Sequence, residues 1–366
     1  MKTYLVGGAV RDELLGRPIK ERDYVVVGST IAEMNKLGYQ QVGSDFPVFL
    51  HPVSKDEHAL ARTERKSGQG YTGFICDFGP QTTLEEDLLR RDLTVNAIAK
   101  DTDGTLIDPF GGQQDIINRV LRHVSAAFSE DPLRVLRVAR FAARYQDYGF
   151  TIADETWQLM KRMVIEGELQ TLTKERIWLE IEKTLDDRGF GHFLSTIATL
   201  GALANVAPYI PKWNNSIHEQ YQAALTQFKG DKTQDQLAQF CLALHFSGTS
   251  IAQLADAKSL KVPNIYIEST KELLLNLPKI EKKNKKSDDW LEILQNLDAW
   301  RRPEKLTRFC YICSKVSDNL QALCDKLRLN FLATSNIDVQ QIIHEGYQGK
   351  EIQAQLKQRR LKAIQN

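Results

Sequence analysis

The stretch KTYLVGGAVRDELLGRPIKERDYVVVGS, residues 2–29, determines how the N-terminal part of this chain folds. A short apolar run predicts a strand, and the two glycines after it predict a sharp turn into a helix. The backbone of Gly8 can approach a ligand closely, and the unpaired amides at a helix start attract phosphate. Arg11 adds a full positive charge to the first turn of that helix. The turn is therefore either a phosphate site that includes Gly8 and Arg11 or an ordinary tight connection.

Two carboxylates stand at the start of the second apolar run of this stretch. Glu21 and Asp23 are separated by one residue and lead into residues 24–27, which predict a strand. Alternation along a strand places both carboxylates on one face. Mg²⁺ is bound by a few carboxylates together with substrate phosphates, so the pair predicts a catalytic metal site. The alternative is a solvated, charged strand end.

The order of strand, Gly-Gly, helix and acid-x-acid strand resembles the nucleotidyltransferase superfamily of the polymerase β type. GGAVRD, residues 7–12, is similar to the motif of bacterial CCA-adding enzymes, which are tRNA nucleotidyltransferases of class II, and of the related poly(A) polymerases. The resemblance implies an α+β N-terminal nucleotidyltransferase head, with a polymerase β-like mixed sheet and helices, followed by an all-α neck, body and tail. It also implies Mg²⁺-dependent addition of the 3′-terminal CCA of tRNA from CTP and ATP, with Glu21 and Asp23 as catalytic metal ligands.

A second charged motif, RRDLTVNA, occupies residues 90–97. Two adjacent arginines can face different ways, so that one binds phosphate oxygens while its neighbour pairs with the acidic run before it. An isolated motif of this kind indicates only a charged helix. At this distance from an acid-x-acid strand it resembles the family motif, which implies that Arg91 contacts the triphosphate and Asp92 the ribose.

Two connections near these motifs carry glycine. ARTERKSGQGYTGF, residues 61–74, mixes charges with glycines and predicts a mobile, mostly basic loop, with an ordinary hairpin as the alternative. It resembles the flexible loop that family members use while changing from CTP to ATP. DPFGG, residues 108–112, predicts a turn and is similar to the family's junction of head and neck.

The segment EDPLRVLRVARFAAR, residues 130–144, predicts a helix with an arginine every three or four residues. Its apolar residues form one face, so the arginines line the other, either as nucleotide contacts or as a solvated basic stripe. The segment resembles the family's EDxxR motif, an amino-acid template for the base. The resemblance implies that Asp131 and Arg134 read the base edge of cytosine or adenine, with Arg137 and Arg140 as further nucleotide contacts.

The remainder of the chain predicts long helices. We expect a head at residues 1–114, a neck at 115–201, and a tRNA-binding body and tail at 202–366. Since the chain has 48 basic and 47 acidic residues, its net charge is close to zero, and nucleic acid must bind a local patch of positive charge. The lysine-rich tract at 279–286 is either such a contact or a solvated loop. Five scattered cysteines without a secretory signal favour the cytoplasm, and no apolar run is long enough to span a membrane.

The sequence departs from the family in two places. Members usually carry Asp where Glu21 stands, and the extra methylene lengthens the reach to a metal without changing the ligand chemistry. Some relatives carry an HD phosphohydrolase domain, but here Phe246 stands where the His-Asp doublet needs Asp, so His245 is interpreted as a packed histidine of a form that lacks this domain. The alternatives are a poly(A) polymerase, an enzyme that adds only CC or only A, and a catalytically impaired RNA-binding relative, which Glu21 alone favours.

Overall fold

The computed structural model describes residues 1–42, 48–66, 74–226 and 231–364. The chain divides into two compact units. Unit 1 comprises Met1–Glu180 and Thr199–Asn205, and unit 2 comprises Ile181–Ala198 and Val206–Asn366. Unit 1 contains every strand of the described residues, whereas unit 2 is helical.

Seven strands of unit 1 form one mixed sheet in the order β3-β4-β5-β2-β1-β8-β9. Only β2 and β5 run parallel, and the other neighbours are antiparallel. The strands are β1 (Lys2–Val6), β2 (Asp23–Val27), β3 (Gln40–Val42), β4 (Val48–Leu50), β5 (Glu57–Leu60), β6 (Thr63–Lys66), β7 (Phe74–Asp77), β8 (Ala99–Lys100), β9 (Leu106–Ile107), β10 (Val120–Leu121) and β11 (Thr151–Ile152).

The sheet is buried on both faces, because neighbouring residues of β2 enter different cores. Val25 packs with Tyr4 and Leu88 on one face. Val26 packs with Met34 and Phe49 on the other. A strand with apolar residues at successive positions is what a sheet covered on both sides requires.

The helices of unit 1 connect and cover these strands. They are α1 (Gly8–Leu14), α2 (Ile31–Lys36), α3 (Leu84–Leu89), α4 (Gly112–Asn118), α5 (Leu133–Arg144) and α6 (Asp154–Ile165), followed by α7 (Lys174–Asp186), whose last residues belong to unit 2. A 3₁₀ turn, Thr94–Asn96, follows α3. β6 and β7 pair as an antiparallel ribbon, and residues 67–73 of the predicted mobile loop lie outside the described residues.

The rest of the chain is a succession of helices, as the sequence predicted. They are α8 (Phe190–Thr199), α9 (Leu203–Val206), α10 (Asn215–Leu225), α11 (Lys232–Phe246), α12 (Leu254–Ser259), α13 (Asn264–Glu281), α14 (Ser287–Asn296), α15 (Pro303–Val316), α16 (Asn319–Ser335), α17 (Val339–His344) and α18 (Lys350–Ala363). Among the described helices, none combines the length and the apolar character that crossing a bilayer demands.

Two lysines of unit 2 have local partners. In the lysine-rich tract between α13 and α14, the ammonium group of Lys282 pairs with Asp289 at 2.6 Å, and that of Lys285 donates to the carbonyl oxygen of Ile280 at 2.8 Å. Both lysines are therefore held by partners at the adjoining ends of these helices.

His245 is half-buried near the end of α11, and this burial lowers the pKa of its imidazole.

The predicted turn before α4 is organised by one carboxylate and one glycine. Asp108 accepts hydrogen bonds from the backbone amides of Gly112 at 2.7 Å and Gln113 at 2.8 Å, which satisfies the start of α4. A Cβ atom on Gly112 would lie 2.2 Å from the carbonyl oxygen of Thr94. Glycine is required there because α4 packs directly on the backbone of the RRDLTVNA motif.

We therefore expect Gly112→Ala to lower the free energy of unfolding by about 3 kcal/mol, since the added methyl group must push two backbone segments apart. Thermal and urea unfolding measure this change. Gly79→Ala is the matched control, because a Cβ atom there meets nothing within 4 Å. Equal stability of the two variants would contradict the close approach.

Candidate functional site

Of the two predicted carboxylates, Asp23 lies at the end of two central strands beside the glycine turn, whereas Glu21 precedes β2, because the strand begins only at Asp23. Asp23 begins β2 and is in register with Val6, the last residue of β1 before the two glycines. It is also in register with Glu57 on the parallel strand β5. Sequence reasoning missed Glu57, because only strand pairing brings it to Asp23 across more than thirty residues of chain.

The charge around Asp23 is predominantly negative. Partial burial raises the pKa of its carboxyl group, and the carboxylates of Glu57 and Glu21 raise it further, while Arg91 opposes them. Carboxylates that repel one another are stabilised by a cation, so the oxygens around Asp23 fit a divalent metal ion. Within the described residues no three His, Cys, Asp or Glu side chains form a preformed metal site. A cation bound here therefore needs further oxygen ligands, which substrate phosphates provide.

Arg91 lies against the glycine turn, so the two predicted phosphate-binding motifs come together. A Cβ atom on Gly7 would lie 2.9 Å from Nη1 of Arg91, and Gly7 has a positive φ of 70°. The same Nη1 donates to the carbonyl oxygen of Asn96 at 3.4 Å. A side chain at position 7 would displace the guanidinium group, and glycine avoids both the strain and the clash.

Both arginines of the RRD motif pair with one acidic residue, whereas the sequence analysis expected only one of them to do so. Arg90 contacts Oδ1 of Asp87 at 3.0 Å, and Arg91 contacts Oδ2 at 3.2 Å. Burial alone would raise the pKa of Asp87, but the two guanidinium groups lower it. Asp87 therefore stays ionised and orients Arg91 towards the turn.

Asp92 is buried, and its carboxylate is bonded on both oxygens. Oδ1 accepts from Nδ2 of Asn96 at 2.9 Å and from the amide of Leu93 at 2.9 Å. Oδ2 accepts from Nε of Arg137 at 2.7 Å. Burial alone would raise the pKa of Asp92, but Arg137 and Asn96 hold it far below its usual range. Asp92 thus links the RRD motif to α5 as an ionised carboxylate.

Arg11 is buried between α1 and α5. Its guanidinium carbon lies 5.2 Å from the ring centroid of Phe141 and 5.0 Å from that of Tyr145. It donates through Nη1 to the side-chain oxygen of Asn96 and through Nε to Asp12 at 3.1 Å. The positive charge predicted near the glycine turn is therefore held rigidly by aromatic rings and by two polar side chains.

The arginines of α5 are not a solvated stripe. Arg134 is buried and donates to the carbonyl oxygens of Ala127 at 2.8 Å and Arg90 at 2.5 Å. Arg140 is also buried and pairs with Glu180 at 2.5 Å. Helix α5 is therefore covered on almost every side, and its buried guanidinium groups have partners within unit 1.

Asp131, the other predicted base reader, precedes α5 and pairs with Arg176 of α7 at 2.8 Å. Its Oδ1 also accepts from the amide of Leu133 at 3.1 Å, which orders the start of the helix. The sequence did not single out Arg176 and Glu180 as partners of this segment, since their spacing indicated only a helix. Their positions on one face of α7 place both of them next to charged residues of the α5 segment.

The chain matches known proteins along its whole length. The family model described as "Poly A polymerase head domain" matches residues 3–122, and the one described as "Probable RNA and SrmB- binding site of polymerase A" matches residues 149–213. The chain is 43% identical to the multifunctional CCA protein of Aliivibrio salmonicida (strain LFI1238), over 100% of this chain and 98% of that protein. The chain belongs to the multifunctional CCA protein family. The family member of Haemophilus influenzae (strain PittGG) is 42% identical over the same shares.

A solved structure shares the fold of this chain. The crystal structure of the Bacillus stearothermophilus CCA-adding enzyme in complex with CTP has a TM-score of 0.72 and 24% identity, covering 99% of this chain and 88% of that chain. The predicted fold class, an α+β head followed by helices, is confirmed. The head-domain match contains the glycine turn, the carboxylates and the RRD motif, whereas α5 lies between the two matched segments.

The buried state of Asp92 leads to a prediction about pH. A carboxyl group whose pKa is lowered by folding stabilises the fold above its unfolded pKa, near 4, and this contribution disappears as the pH falls. Asp92→Asn should lower the free energy of unfolding at pH 7 by about 3 kcal/mol, because Arg137 loses its ionic partner. Urea unfolding at pH values from 7 to 3 should show that the free energy of unfolding falls less in this variant than in the parent.

The control for this experiment is Asp147→Asn, which removes an exposed carboxylate just beyond the end of α5. It should leave both the stability at pH 7 and its pH dependence unchanged. A parental pH profile in Asp92→Asn would show that Asp92 is not the ionised, buried group described above.

Proposed function

We propose that this protein is a tRNA nucleotidyltransferase that adds and repairs the 3′-terminal CCA of tRNA from CTP and ATP. The observation that supports it best is the meeting of three elements at one sheet edge: the carboxylates at the start of β2, the glycine turn, and Arg91. Arg91 lies against Gly7 and its charge acts on Asp23. The names of its relatives, multifunctional CCA protein and CCA-adding enzyme, agree with this chemistry.

The proposed reaction is an in-line displacement at phosphorus. The 3′ hydroxyl oxygen of tRNA forms a bond to the α-phosphorus of the nucleotide and loses its proton to solvent. The bond from that phosphorus to the bridging oxygen breaks, and pyrophosphate leaves with the electron pair. Glu21 and Asp23, with Glu57 beside them, would hold Mg²⁺. The cation supplies charge stabilisation for the attacking and leaving oxygens. Asp23 would be the central ligand, since it is in register with Val6, which precedes the glycine turn, and with Glu57.

The nucleotide is held by residues that are already ordered. Arg91, Arg11 and the backbone at Gly8 receive the triphosphate, whose charge suits guanidinium groups and amides at a helix start. Asp92 contacts the ribose. These groups are fixed by Asp87, Asn96 and aromatic rings, so little order has to be gained on binding.

The base would be read at α5. Asp131 and Arg134 carry donors and acceptors that complement cytosine or adenine, and Arg137 and Arg140 complete the nucleotide site. Arg134 already bonds two backbone carbonyl groups, so base recognition requires that it offer a further N–H or exchange a partner. Pairing with Arg176 holds Asp131 in place until a base arrives.

We propose the same three-part division as the sequence suggested, with a head at 1–114, a neck at 115–201 and a tRNA-binding body and tail at 202–366. The cytoplasm, where tRNA is matured, is the proposed location.

A poly(A) polymerase is the second candidate function, because the matched head domain carries that description. Enzymes that add only CC or only A share the same motifs.

The decisive experiment supplies Mg²⁺, labelled CTP or ATP, and tRNA that lacks its CCA end. We expect CTP alone to supply two C residues, and CTP together with ATP to complete CCA without a long adenosine tail. Extended adenosine tails would favour the polymerase. No incorporation with either nucleotide would leave only an RNA-binding relative.

Asp23→Ala should abolish the addition of both C and A, with a loss of at least about a thousandfold in kcat, because the metal loses its central ligand. Binding of tRNA, measured by filter retention, should stay parental. Glu21→Asp preserves the carboxylate and should keep or raise activity. Asp103→Asn, which changes an exposed acid of the same unit, is the control. Activity within a few fold of the parent in Asp23→Ala would refute the metal assignment.

Arg134→Ala and Arg91→Ala separate base reading from triphosphate binding. Arg134→Ala should raise the relative use of UTP and GTP by the equivalent of roughly 1–3 kcal/mol, the value of one bidentate base contact. Arg91→Ala should weaken all four nucleotides alike, since each offers the same phosphate oxygens. Steady-state kinetics with the four nucleotides measure both. An equal loss for every nucleotide in Arg134→Ala would remove Arg134 from the template.

A further inference from the structure

Tyr145, the first residue after α5, is buried and contacts two residues of α1. Its hydroxyl group donates to Oδ1 of Asp12 at 3.0 Å, and the guanidinium carbon of Arg11 lies 5.0 Å from its ring centroid. Asp12 also accepts from Nε of Arg11 at 3.1 Å. All three side chains are buried, so water does not compete for these contacts. The C-terminal end of α5 is thereby attached to the helix that follows the glycine turn.

These contacts continue to a second point on α5. Nη1 of Arg11 donates to the side-chain oxygen of Asn96, and Nδ2 of Asn96 donates to Asp92 at 2.9 Å. Asp92 accepts from Nε of Arg137, which belongs to α5, at 2.7 Å. The path thus leaves α5 at Arg137, passes through the RRD motif and α1, and returns at Tyr145. We call this closed path of six side chains the polar ring.

The polar ring braces α5 at two points. Arg137 and Tyr145 are separated by about two helical turns, roughly 12 Å along the axis. One contact would let the helix pivot about it, whereas two contacts fix both its position and its rotation. Arg134, the candidate base reader, lies one turn before Arg137 and moves with it.

We propose that Tyr145 and Asp12 are positioning residues that hold the base-reading residues of α5 at a fixed distance from the triphosphate site. This inference rests on the proposed function. A side-chain template rejects a wrong base only if it does not shift to accommodate that base, since hydrogen bonds weaken steeply with distance and angle. The polar ring prevents that shift, and Tyr145 contributes to it without contacting the nucleotide.

Tyr145→Phe tests the inference, because it removes one hydroxyl group and keeps the ring that packs on Arg11. We expect kcat/KM for CTP and ATP to fall about tenfold, the cost of a small misplacement of the reader. We also expect the use of UTP relative to CTP, and of GTP relative to ATP, to rise by a similar factor. Tyr148→Phe, a few residues further on at an exposed ring that contacts Arg17, is the matched control and should behave as the parent.

Asp12→Asn should change the same nucleotide ratios in the same direction. The double variant should be no worse than the more severe single variant, because both changes act on the same Tyr145–Asp12 hydrogen bond: one removes its donor, and the other removes the charge of its acceptor. Additive effects would contradict the polar ring. If Tyr145→Phe did not fold, the ratios for Asp12→Asn would decide the question alone.

The outcomes separate this inference from the proposed function. A lower melting temperature with unchanged nucleotide ratios in Tyr145→Phe would mean that Tyr145 only stabilises the fold, and would overturn the inference. A parent protein that incorporates neither CTP nor ATP would refute the proposed function itself, and the inference with it. Melting temperatures and four-nucleotide kinetics of the parent and the variants give both answers.

Discussion

The pairing of β1 with β2 is the constraint on which the rest of the structure depends. It sets Asp23 opposite Val6. The end of β1, where the glycine turn begins, and the start of β2, which carries the carboxylate, therefore lie side by side. Because side chains alternate along a strand, a shift of one residue would turn Asp23 to the opposite face. The two buried faces of the sheet exclude such a shift, since Val25 and Val26 belong to different cores.

Buried charge is the second organising feature of unit 1. Asp87, Asp92 and Arg134 are all removed from solvent, and each has partners of the opposite charge or backbone carbonyl groups. Burying an isolated charge costs several kcal/mol, so such groups are tolerated only as complete networks. This arrangement gives little net stability, but it holds the guanidinium groups in one fixed geometry.

The fold class and much of the candidate site were predictable because their signals are local in the chain. A glycine pair after an apolar run, an acid-x-acid pair before another run, and RRDLTVNA each carry their chemistry within a few residues. The sequence predicted that one arginine of the RRD motif binds phosphate while its neighbour pairs with the acidic run, and the structure adds that Asp87 has two oxygens and receives both arginines. Local spacing does not show how many donors one carboxylate accepts.

The sequence by itself determined the mixed α+β head, the helical remainder, and the residue types gathered for nucleotide chemistry. Only the tertiary structure decided that Glu57 lies beside Asp23 and that Tyr145 bonds Asp12. Each of these contacts joins residues far apart in the chain. The cause is strand register in one case and helix packing in the other, and both are set by how apolar faces fit together, which no short motif records.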